Sequence, residues 1–391
     1  MRRNLHIIGG LGEVSMARKL PLLFETDLSK KLNVATILDI HPRETIENPG
    51  KFIPYIRELS EKRFGTPAKL ETMYKLGRRI QNGKTKYVQL RDGQLGADII
   101  SGIDPEDCVD ISCPNYLHYN FFHQTMTQTP ANILMEKPLV GSVEELEKLQ
   151  LFANEIRKSP GNRTVMDAEH YFYYKIIQDY LGSFKNKKTN RHKLGKIETM
   201  ILRIEEETGF ETQRNKDIIT RTKSGGGIGL DMGIHAISLL NHLGARIDYD
   251  TIKATPIKNS ELIRDDKYGE NEMRVECMVY GENFHTNGCD VRIRVAKNKK
   301  NARKAFYFGH ENGMIDLNMG EKIRRTYGKE ANLLEEKSYG QQDAFYNVLN
   351  SFTNYVDNGL PPPTSIQMGI KNLKDIFEIY RRAGPIQMVL N

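Results

Sequence analysis

The chain has 391 residues, of which 39% are hydrophobic and 27% are charged, and these values are typical of a soluble globular protein with two domains. No apolar run approaches the roughly 20 residues that a helical membrane span needs. The net charge of +7 comes from cations spread along the chain and from short runs such as Lys297–Lys304, which favours solvated loops over a nucleic-acid partner. The four cysteines lack metal-ligand spacing, so we expect no metal site and a reducing, cytoplasmic compartment.

The first part of the chain alternates between short apolar strands and amphipathic helices. The predicted strands are Asn4–Gly10, Asn33–Ile40, Cys108–Pro114, Ala131–Lys137 and Arg163–Ala168. The predicted helices are Gly12–Asp27, Phe52–Phe64, Ala68–Ile80, Tyr116–Thr127 and Ser142–Lys158. This alternation predicts a doubly wound parallel sheet, that is, an α/β Rossmann domain over residues 1–165.

After about residue 195, strands follow one another without long intervening helices. The predicted strands are Ile197–Glu205, Ile252–Lys258, Met273–Tyr280, Val291–Lys297, Ala305–Gly309 and Met314–Asn318. Helices are predicted at Tyr173–Phe184, Leu230–Leu243, Ala344–Asn358 and Ser365–Arg381. We therefore expect a C-terminal α+β domain over residues 166–391, built on a large, mostly antiparallel sheet.

A glycine-rich turn follows the first predicted strand. Gly9, Gly10 and Gly12, with Glu13 and Val14 at the start of the next helix, match most of the fingerprint that lets a backbone approach a pyrophosphate. Asp39 ends the second strand, where a carboxylate accepts hydrogen bonds from the ribose hydroxyls of NAD. Arg43 lies close by in sequence and leaves NADP possible. These residues predict an NAD site.

Three later segments resemble the Gfo/Idh/MocA oxidoreductases. Met135-Glu136-Lys137-Pro138 resembles the EKP motif of that superfamily, and Pro114-Asn115-Tyr116-Leu117-His118 resembles its PNxxH turn. The segment from Gly225 to His235 is similar to its GGG-x-x-x-D-x-G-x-H motif. The resemblance implies that Pro114, Asn115, His118, Glu136 and Lys137 contact the cofactor, and that Lys137, Asp231 and His235 are catalytic.

His235 is the candidate acid–base residue. Oxidation of an alcohol requires a hydride to leave carbon and a proton to leave oxygen, and a histidine with a pKa near 6.5 suits that proton transfer at neutral pH. Asp231 precedes His235 by four residues, so the two side chains are expected on one helix face. A buried structural histidine bonded to Asp231 is the alternative interpretation.

Other segments resemble glucose-6-phosphate dehydrogenase, namely GGLGEVSMARKLPLL from Gly9, Glu169-His170-Tyr171 followed by Lys175, and the stretch with Glu207, Gly209, Glu211 and Arg214. This resemblance implies that Glu169 orients His235. It also implies that a substrate phosphate is bound by His170, Tyr171, Lys175 and Arg214. Asp231 is expected to bind the sugar. Dense aromatic residues around Tyr171 leave core packing open as an alternative.

Together these observations predict an NAD(P)-dependent dehydrogenase acting on a CH–OH group, with a hexose 6-phosphate as the leading substrate. A free sugar, inositol or nucleotide-sugar is the alternative substrate, and a non-catalytic dinucleotide-binding regulator is the alternative of another class. The expected partners are a small-molecule sugar and further copies of the chain in a homodimer or homotetramer. Neither nucleic acid nor a membrane is expected as a partner.

Overall fold

The structure is a computed structural model that describes residues 2–64, 70–90, 94–158, 163–185, 194–207, 216–217, 219–220, 226–340 and 343–388. Two compact units divide the chain. The first comprises residues 1–168, 212–214 and 345–369, and the second comprises 169–211, 215–344 and 370–391. The division at residues 165 and 166 stays a prediction, and the structure groups 345–369 with the first unit.

The first unit contains a six-stranded, wholly parallel sheet in the order β3-β2-β1-β4-β5-β6. Its strands are β1 (Arg3–Ile8), β2 (Leu32–Asp39), β3 (Lys86–Gln89), β4 (Cys108–Ile111), β5 (Asn132–Met135) and β6 (Val165–Asp167). Every residue of β4 and β5 is buried, as expected for central strands covered on both faces. The order places β1 and β4 side by side at the switch point, where ligands bind in such sheets.

The helices of this unit are α1 (Leu20–Glu25), α2 (Leu28–Lys31), α3 (Arg43–Ile46), α4 (Pro49–Phe64), α5 (Leu70–Gln81), α6 (Ala97–Ile100), α7 (His118–Gln128), α8 (Val143–Lys158) and α11 (Ala344–Asn358). The single helix predicted over Gly12–Asp27 is wrong. A π-helical turn over Val14–Lys19 leads into α1 and then α2. Pro21 lies in the first turn of α1 and lacks an N–H, so the regular helical ladder restarts there.

The second unit is built on a nine-stranded mixed sheet in the order β14-β13-β12-β11-β7-β10-β9-β8-β15. Among the strands in the described residues of this sheet, β7 with β10 and β8 with β15 pair in parallel, and the other neighbours pair antiparallel. The strands are β7 (Ile197–Glu205), β8 (Arg246–Lys258), β9 (Glu272–Tyr280), β10 (Cys289–Ala296), β11 (Lys304–His310), β12 (Gly313–Asn318), β13 (Ile323–Gly328), β14 (Leu333–Ser338) and β15 (Gln387–Met388). The predicted fold class, a Rossmann sheet with a mostly antiparallel second sheet, is confirmed.

The helices of the second unit are α9 (Lys175–Lys185), α10 (Ile234–His242) and most of α12 (Ile366–Arg382). A π-helical turn over Gly229–Gly233 precedes α10, and a 3-10 turn over His170–Tyr173 precedes α9. Strands β13 and β14 were not predicted, because β14 is exposed along its whole length and shows no apolar alternation. No helix in the described part of the chain has both the length and the apolar character to cross a membrane.

Candidate active site

The glycine-rich turn after β1 has a shape that only glycine permits at its first position. Gly9 has a φ of +78°, and a Cβ atom there would lie 2.7 Å from the backbone of Cys113. The Gly12 amide donates to the Gly9 carbonyl at 3.0 Å, which closes the turn. Ser15 stands where the fingerprint has its third glycine. It is fully buried, and its hydroxyl donates to the Gly9 carbonyl at 3.2 Å. The turn therefore packs closely against the segment that follows β4, in a conformation that glycine permits.

Asp39 lies at the carboxyl end of β2 and reaches this turn. Its Oδ2 accepts a hydrogen bond from the Leu11 amide at 2.8 Å, and its Oδ1 accepts one from the Ile40 amide at 2.8 Å. His41 Nε2 lies 3.4 Å from Oδ1. Arg43 is mostly exposed and forms an ion pair with Glu47 at 2.8 Å.

His118 lies beneath the turns that follow β4 and β5. It is fully buried, with Nδ1 2.8 Å from the Pro138 carbonyl oxygen and Nε2 2.8 Å from the Cys113 carbonyl oxygen. Burial lowers the pKa of this imidazole. The ring therefore lies between the two turns, and its contact with a cofactor stays a prediction.

Six other predicted cofactor residues line the same carboxyl edge of the sheet. Pro114 is exposed, Asn115, Glu13, Val14 and Lys137 are half-buried, and Glu136 is buried immediately after β5. Their contacts with a cofactor stay predictions.

The second unit brings His235 and Glu169 together. His235 Nδ1 lies 2.6 Å from Glu169 Oε1, and the two side chains are 3% and 1% exposed. The same carboxylate oxygen accepts a hydrogen bond from the Tyr171 amide at 3.0 Å. This carboxylate keeps a proton on Nδ1, so the neutral ring presents Nε2 as its basic atom. The arrangement is the one expected of an oriented acid–base histidine.

Two aromatic rings confine His235. The Tyr171 ring stacks on the imidazole with centroids 4.1 Å apart and planes 18° apart. The His170 ring meets it edge-on at 4.8 Å. Burial raises the pKa of Tyr171 far above its usual range, so the phenol stays neutral. The aromatic run predicted either to bind phosphate or to pack in the core therefore contacts the catalytic candidate.

Asp231 lies in the π-helical turn that precedes α10, four residues before His235. Its Oδ2 is 3.7 Å from the ammonium of Lys297, which is also 3.7 Å from Glu206 Oε2. Glu206 pairs with Lys304 at 2.8 Å, and these two lysines lower the pKa of Glu206 although burial acts in the opposite direction. Sequence reasoning missed Lys297 and Glu206.

The missed lysine belongs to a run that was interpreted as solvated loop. Lys297 is only 3% exposed, because it directly follows the buried end of β10. The apolar residues of β10 could have indicated the position of Lys297, because a lysine that directly follows a buried strand lies at the edge of the sheet.

The second glycine-rich segment is held by side chains. The Gly227 amide donates to the Tyr380 hydroxyl at 3.2 Å, and the Gly229 amide donates to Glu270 Oε1 at 3.0 Å. A Cβ at Gly227 would lie 2.2 Å from the Glu270 carboxylate. These contacts fix the turn that presents Asp231 and His235.

Two further residues, Lys175 and Arg214, are predicted to bind a substrate phosphate. Lys175 is exposed at the start of α9. Arg214 lies outside the described residues.

The geometry can be compared with known proteins. Residues 99–159 match the sequence model of the GFO_IDH_MocA oxidoreductase family, described as its NAD-binding Rossmann fold. The matched segment is similar to that family and includes Pro114 to Lys137, the residues on which two of the three predicted resemblances rest. No curated protein matches the chain in sequence.

Solved structures of similar fold cover nearly the whole chain. One is KijD10, a 3-ketoreductase from Actinomadura kijaniata in complex with NADP and TDP-benzene, with a TM-score of 0.69, 13% identity and 100% of each chain covered. Another is the UDP-N-acetylglucosamine 3-dehydrogenase GnnA from Acidithiobacillus ferrooxidans, with a TM-score of 0.66, 14% identity and 98% of each chain covered. A third is the aldose–aldose oxidoreductase from Caulobacter crescentus, with a TM-score of 0.66, 16% identity and 98% of this chain and 97% of that chain covered. At these identities the similarity shows the fold.

Proposed function

We propose that the chain is an NAD(P)-dependent oxidoreductase that transfers a hydride between a CH–OH carbon of a sugar and nicotinamide. The observation that carries the proposal is the buried His235–Glu169 pair, whose 2.6 Å contact fixes the tautomer of an acid–base histidine. A purely structural histidine would not need a buried carboxylate, a stacked ring and a neighbouring Asp231 at once.

The residues of the second unit would handle the proton of the alcohol. His235 Nε2 accepts the hydroxyl proton when the alcohol is oxidised and returns it when a ketone is reduced. Glu169 stabilises the imidazolium that forms, because its charge lies against Nδ1. Asp231 accepts a hydrogen bond from a substrate hydroxyl and is held in place by the Lys297 ammonium.

The residues of the first unit fit a nicotinamide dinucleotide. The backbone at Gly9 approaches Cys113 so closely that no side chain is tolerated, and Asp39 lies at the end of β2 beside the turn. Bound NAD(P) supplies the hydride acceptor or donor. Lys137 keeps its predicted catalytic role, as a cation that hydrogen-bonds the reacting hydroxyl.

We favour a sugar that presents free hydroxyls, either free or nucleotide-linked, over a hexose 6-phosphate. The second unit holds three carboxylates here: Glu169 contacts His235, whereas Asp231 and Glu206 face the lysines Lys297 and Lys304. A phosphate dianion gains little binding free energy where carboxylates outnumber lysines. Carboxylates do, however, accept hydrogen bonds from sugar hydroxyls well. KijD10 and GnnA, described as acting on nucleotide sugars or crystallised with a nucleotide analogue, support this choice.

The test is the absorbance change at 340 nm with NAD(H) and NADP(H), offering UDP-N-acetylglucosamine, glucose, myo-inositol and glucose 6-phosphate in parallel. The proposal predicts turnover of an unphosphorylated or nucleotide-linked sugar. Turnover of glucose 6-phosphate alone would restore the phosphate interpretation of His170, Tyr171 and Lys175. If both glucose 6-phosphate and a neutral sugar are turned over, Lys175→Ala should reduce turnover of the phosphosugar far more than that of the neutral sugar.

Tight dinucleotide binding without turnover of any sugar would favour the regulator class. The His235→Asn variant distinguishes the two classes. In an enzyme the variant should lose the absorbance change at 340 nm that the wild type shows. A regulator would bind sugar and dinucleotide through the same residues, and its wild type would show no such change.

A further inference from the structure

A lysine is completely buried beneath the glycine-rich turn of the first unit. Lys19 ends the π-helical turn, and its side chain is 0% exposed. Its ammonium donates to Asp110 Oδ1 at 2.7 Å and to Ser112 Oγ at 2.8 Å, and it lies 2.8 Å from Glu136 Oε1. An ammonium has three N–H donors, so these three partners use all of them.

The network joins the elements that surround the predicted cofactor site. Asp110 lies in β4, and Glu136 follows β5 and bonds through its amide to the Ile111 carbonyl at 2.9 Å. Ser112 donates a further hydrogen bond to Asp110 Oδ1 at 2.9 Å. Lys19 therefore connects the first helical turn to the carboxyl ends of both strands.

The charges of this network do not cancel. One carboxylate would neutralise the Lys19 ammonium, but two buried carboxylates face it, so with both ionised the network carries an excess of one negative charge. Burial raises the pKa of Asp110, and the adjacent Lys19 ammonium acts in the opposite direction, toward the ionised carboxylate. Buried charge is costly unless it is compensated, so an uncompensated carboxylate calls for a cation from outside the network. Lys137 follows Glu136 directly, but its side chain is half-buried and is more strongly screened by water.

The cofactor of the proposed function brings such a cation in only one of its two forms. The nicotinamide ring is positively charged when oxidised and neutral when reduced. In a doubly wound sheet, Asp39 at the end of β2 marks the adenosine side, so the nicotinamide half extends toward the ends of β4 and β5. The Lys19–Asp110–Glu136 network lies beneath those ends.

We propose that the Lys19–Asp110–Glu136 network biases the first unit toward the oxidised nicotinamide, with Asp110 and Glu136 as positioning residues that act through their excess charge. The inference rests on the proposed function. Tighter binding of the oxidised form makes the bound couple more reducing, so the bound reduced cofactor becomes a better hydride donor to a ketone.

The isosteric variants Asp110→Asn and Glu136→Gln each remove one negative charge and keep the shape of the network. The dissociation constants of NAD+ and NADH are measured separately, NADH by its fluorescence and NAD+ by competition, and NADP+ with NADPH likewise. Each variant should weaken the oxidised form relative to the reduced form roughly tenfold, the effect of one buried unit charge at an effective dielectric constant of about 20. For a two-electron couple, tenfold corresponds to about 30 mV.

The matched control is Asp107→Asn. Asp107 is also buried and pairs with His6 at 3.3 Å, but it precedes β4 at the opposite, amino end of the strand. This variant should leave the ratio of the two dissociation constants unchanged. Thermal unfolding of each variant identifies any that fail to fold, and either amide variant alone is sufficient for the test.

Equal weakening of both cofactor forms, or an unchanged ratio, would show that the network is only structural and would overturn the inference. Those outcomes leave the proposed function standing, since the dinucleotide still binds. A wild-type protein that binds neither nicotinamide form would instead contradict the proposed function itself, and the inference with it.

Discussion

Each unit contains a glycine-rich segment that leads into a π-helical turn, and the two segments need glycine for different reasons. Gly9 has a positive φ, and its Cα faces the backbone of Cys113. Gly227 does not have a positive φ, and its space is taken by the carboxylate of Glu270. The first segment uses glycine to shape the main chain, and the second uses it to admit a side chain.

The difference shows that a run of glycines does not by itself indicate a ligand. After β1 the turn lies at the switch point of a parallel sheet, where a backbone can meet a phosphate. Before α10 the glycines let Glu270 and Tyr380 hold the turn that carries Asp231 and His235. π-Helical turns are frequent at functional sites, and both of these turns follow that tendency.

The largest expected effect separates chemistry from cofactor binding. His235→Asn in the second unit should reduce kcat on the order of 10³-fold, because it removes the acid–base group, while the Kd for NAD(P)H stays within about twofold. Steady-state rates and fluorescence titration measure the two quantities. The control is His242→Asn at the end of the same helix, where Nδ1 contacts the Ser238 carbonyl at 2.7 Å, and it should retain most activity.

The next effect tests the two uses of glycine directly. Gly9→Ala and Gly227→Ala should each lower the free energy of unfolding by about 1–3 kcal/mol, because each adds a methyl group to filled space. In a Glu270→Ala background Gly227→Ala should cost less stability than in the wild type, since the clash is with the Glu270 side chain. Shortening a neighbouring side chain should not restore the stability that Gly9→Ala loses, because the added methyl group clashes with main chain.

Chemical denaturation of these variants measures the difference, and Gly182→Ala in α9 serves as the control. No atom lies within 4 Å of a Cβ at Gly182, so that change should be neutral or stabilising by less than about 1 kcal/mol. Rescue of both glycine variants, or of neither, would contradict the comparison.

A smaller effect concerns cofactor choice in the first unit. Asp39→Ser should shift the ratio of kcat/KM values toward NADP by about tenfold, because it removes a carboxylate that repels a 2′-phosphate. The hydrogen bond from the Leu11 amide is lost or weakened as well, so binding of both cofactors should fall somewhat. An equal loss of kcat/KM for NAD and NADP would show that Asp39 stabilises the turn and does not select between the cofactors.

The smallest effect is a dependence of stability on pH in the second unit. Lys297 and Lys304 lower the pKa of Glu206 in the folded protein, so its stabilising contribution is present above the unfolded value near 4.5 and is lost as the pH falls through the lower folded value. Glu206→Gln should therefore destabilise the protein at pH 7 by less than about 1 kcal/mol and have no effect in strong acid. Denaturation at the two pH values checks the sign.

The sequence predicted the regular parts of the molecule and the residues whose motifs carry chemistry. Apolar runs spaced by amphipathic helices predicted the parallel sheet, because a strand covered on both faces must be apolar throughout. The spacing of Asp231 and His235 and the resemblance around Glu169 predicted an oriented histidine, and the structure brings the histidine and the glutamate to 2.6 Å.

Other features were decided only by the tertiary structure. Lys19 and Lys297 look in sequence like ordinary basic residues, and their burial depends on carboxylates 91 residues away for Lys19 and Asp110, and 66 residues away for Lys297 and Asp231. His118 is predicted from its motif to contact the cofactor, and the structure places its buried ring between the carbonyl oxygens of two turns. Local sequence determines which residues can ionise or bend the chain, whereas burial and charge pairing arise from contacts between distant segments, which only the folded structure brings together.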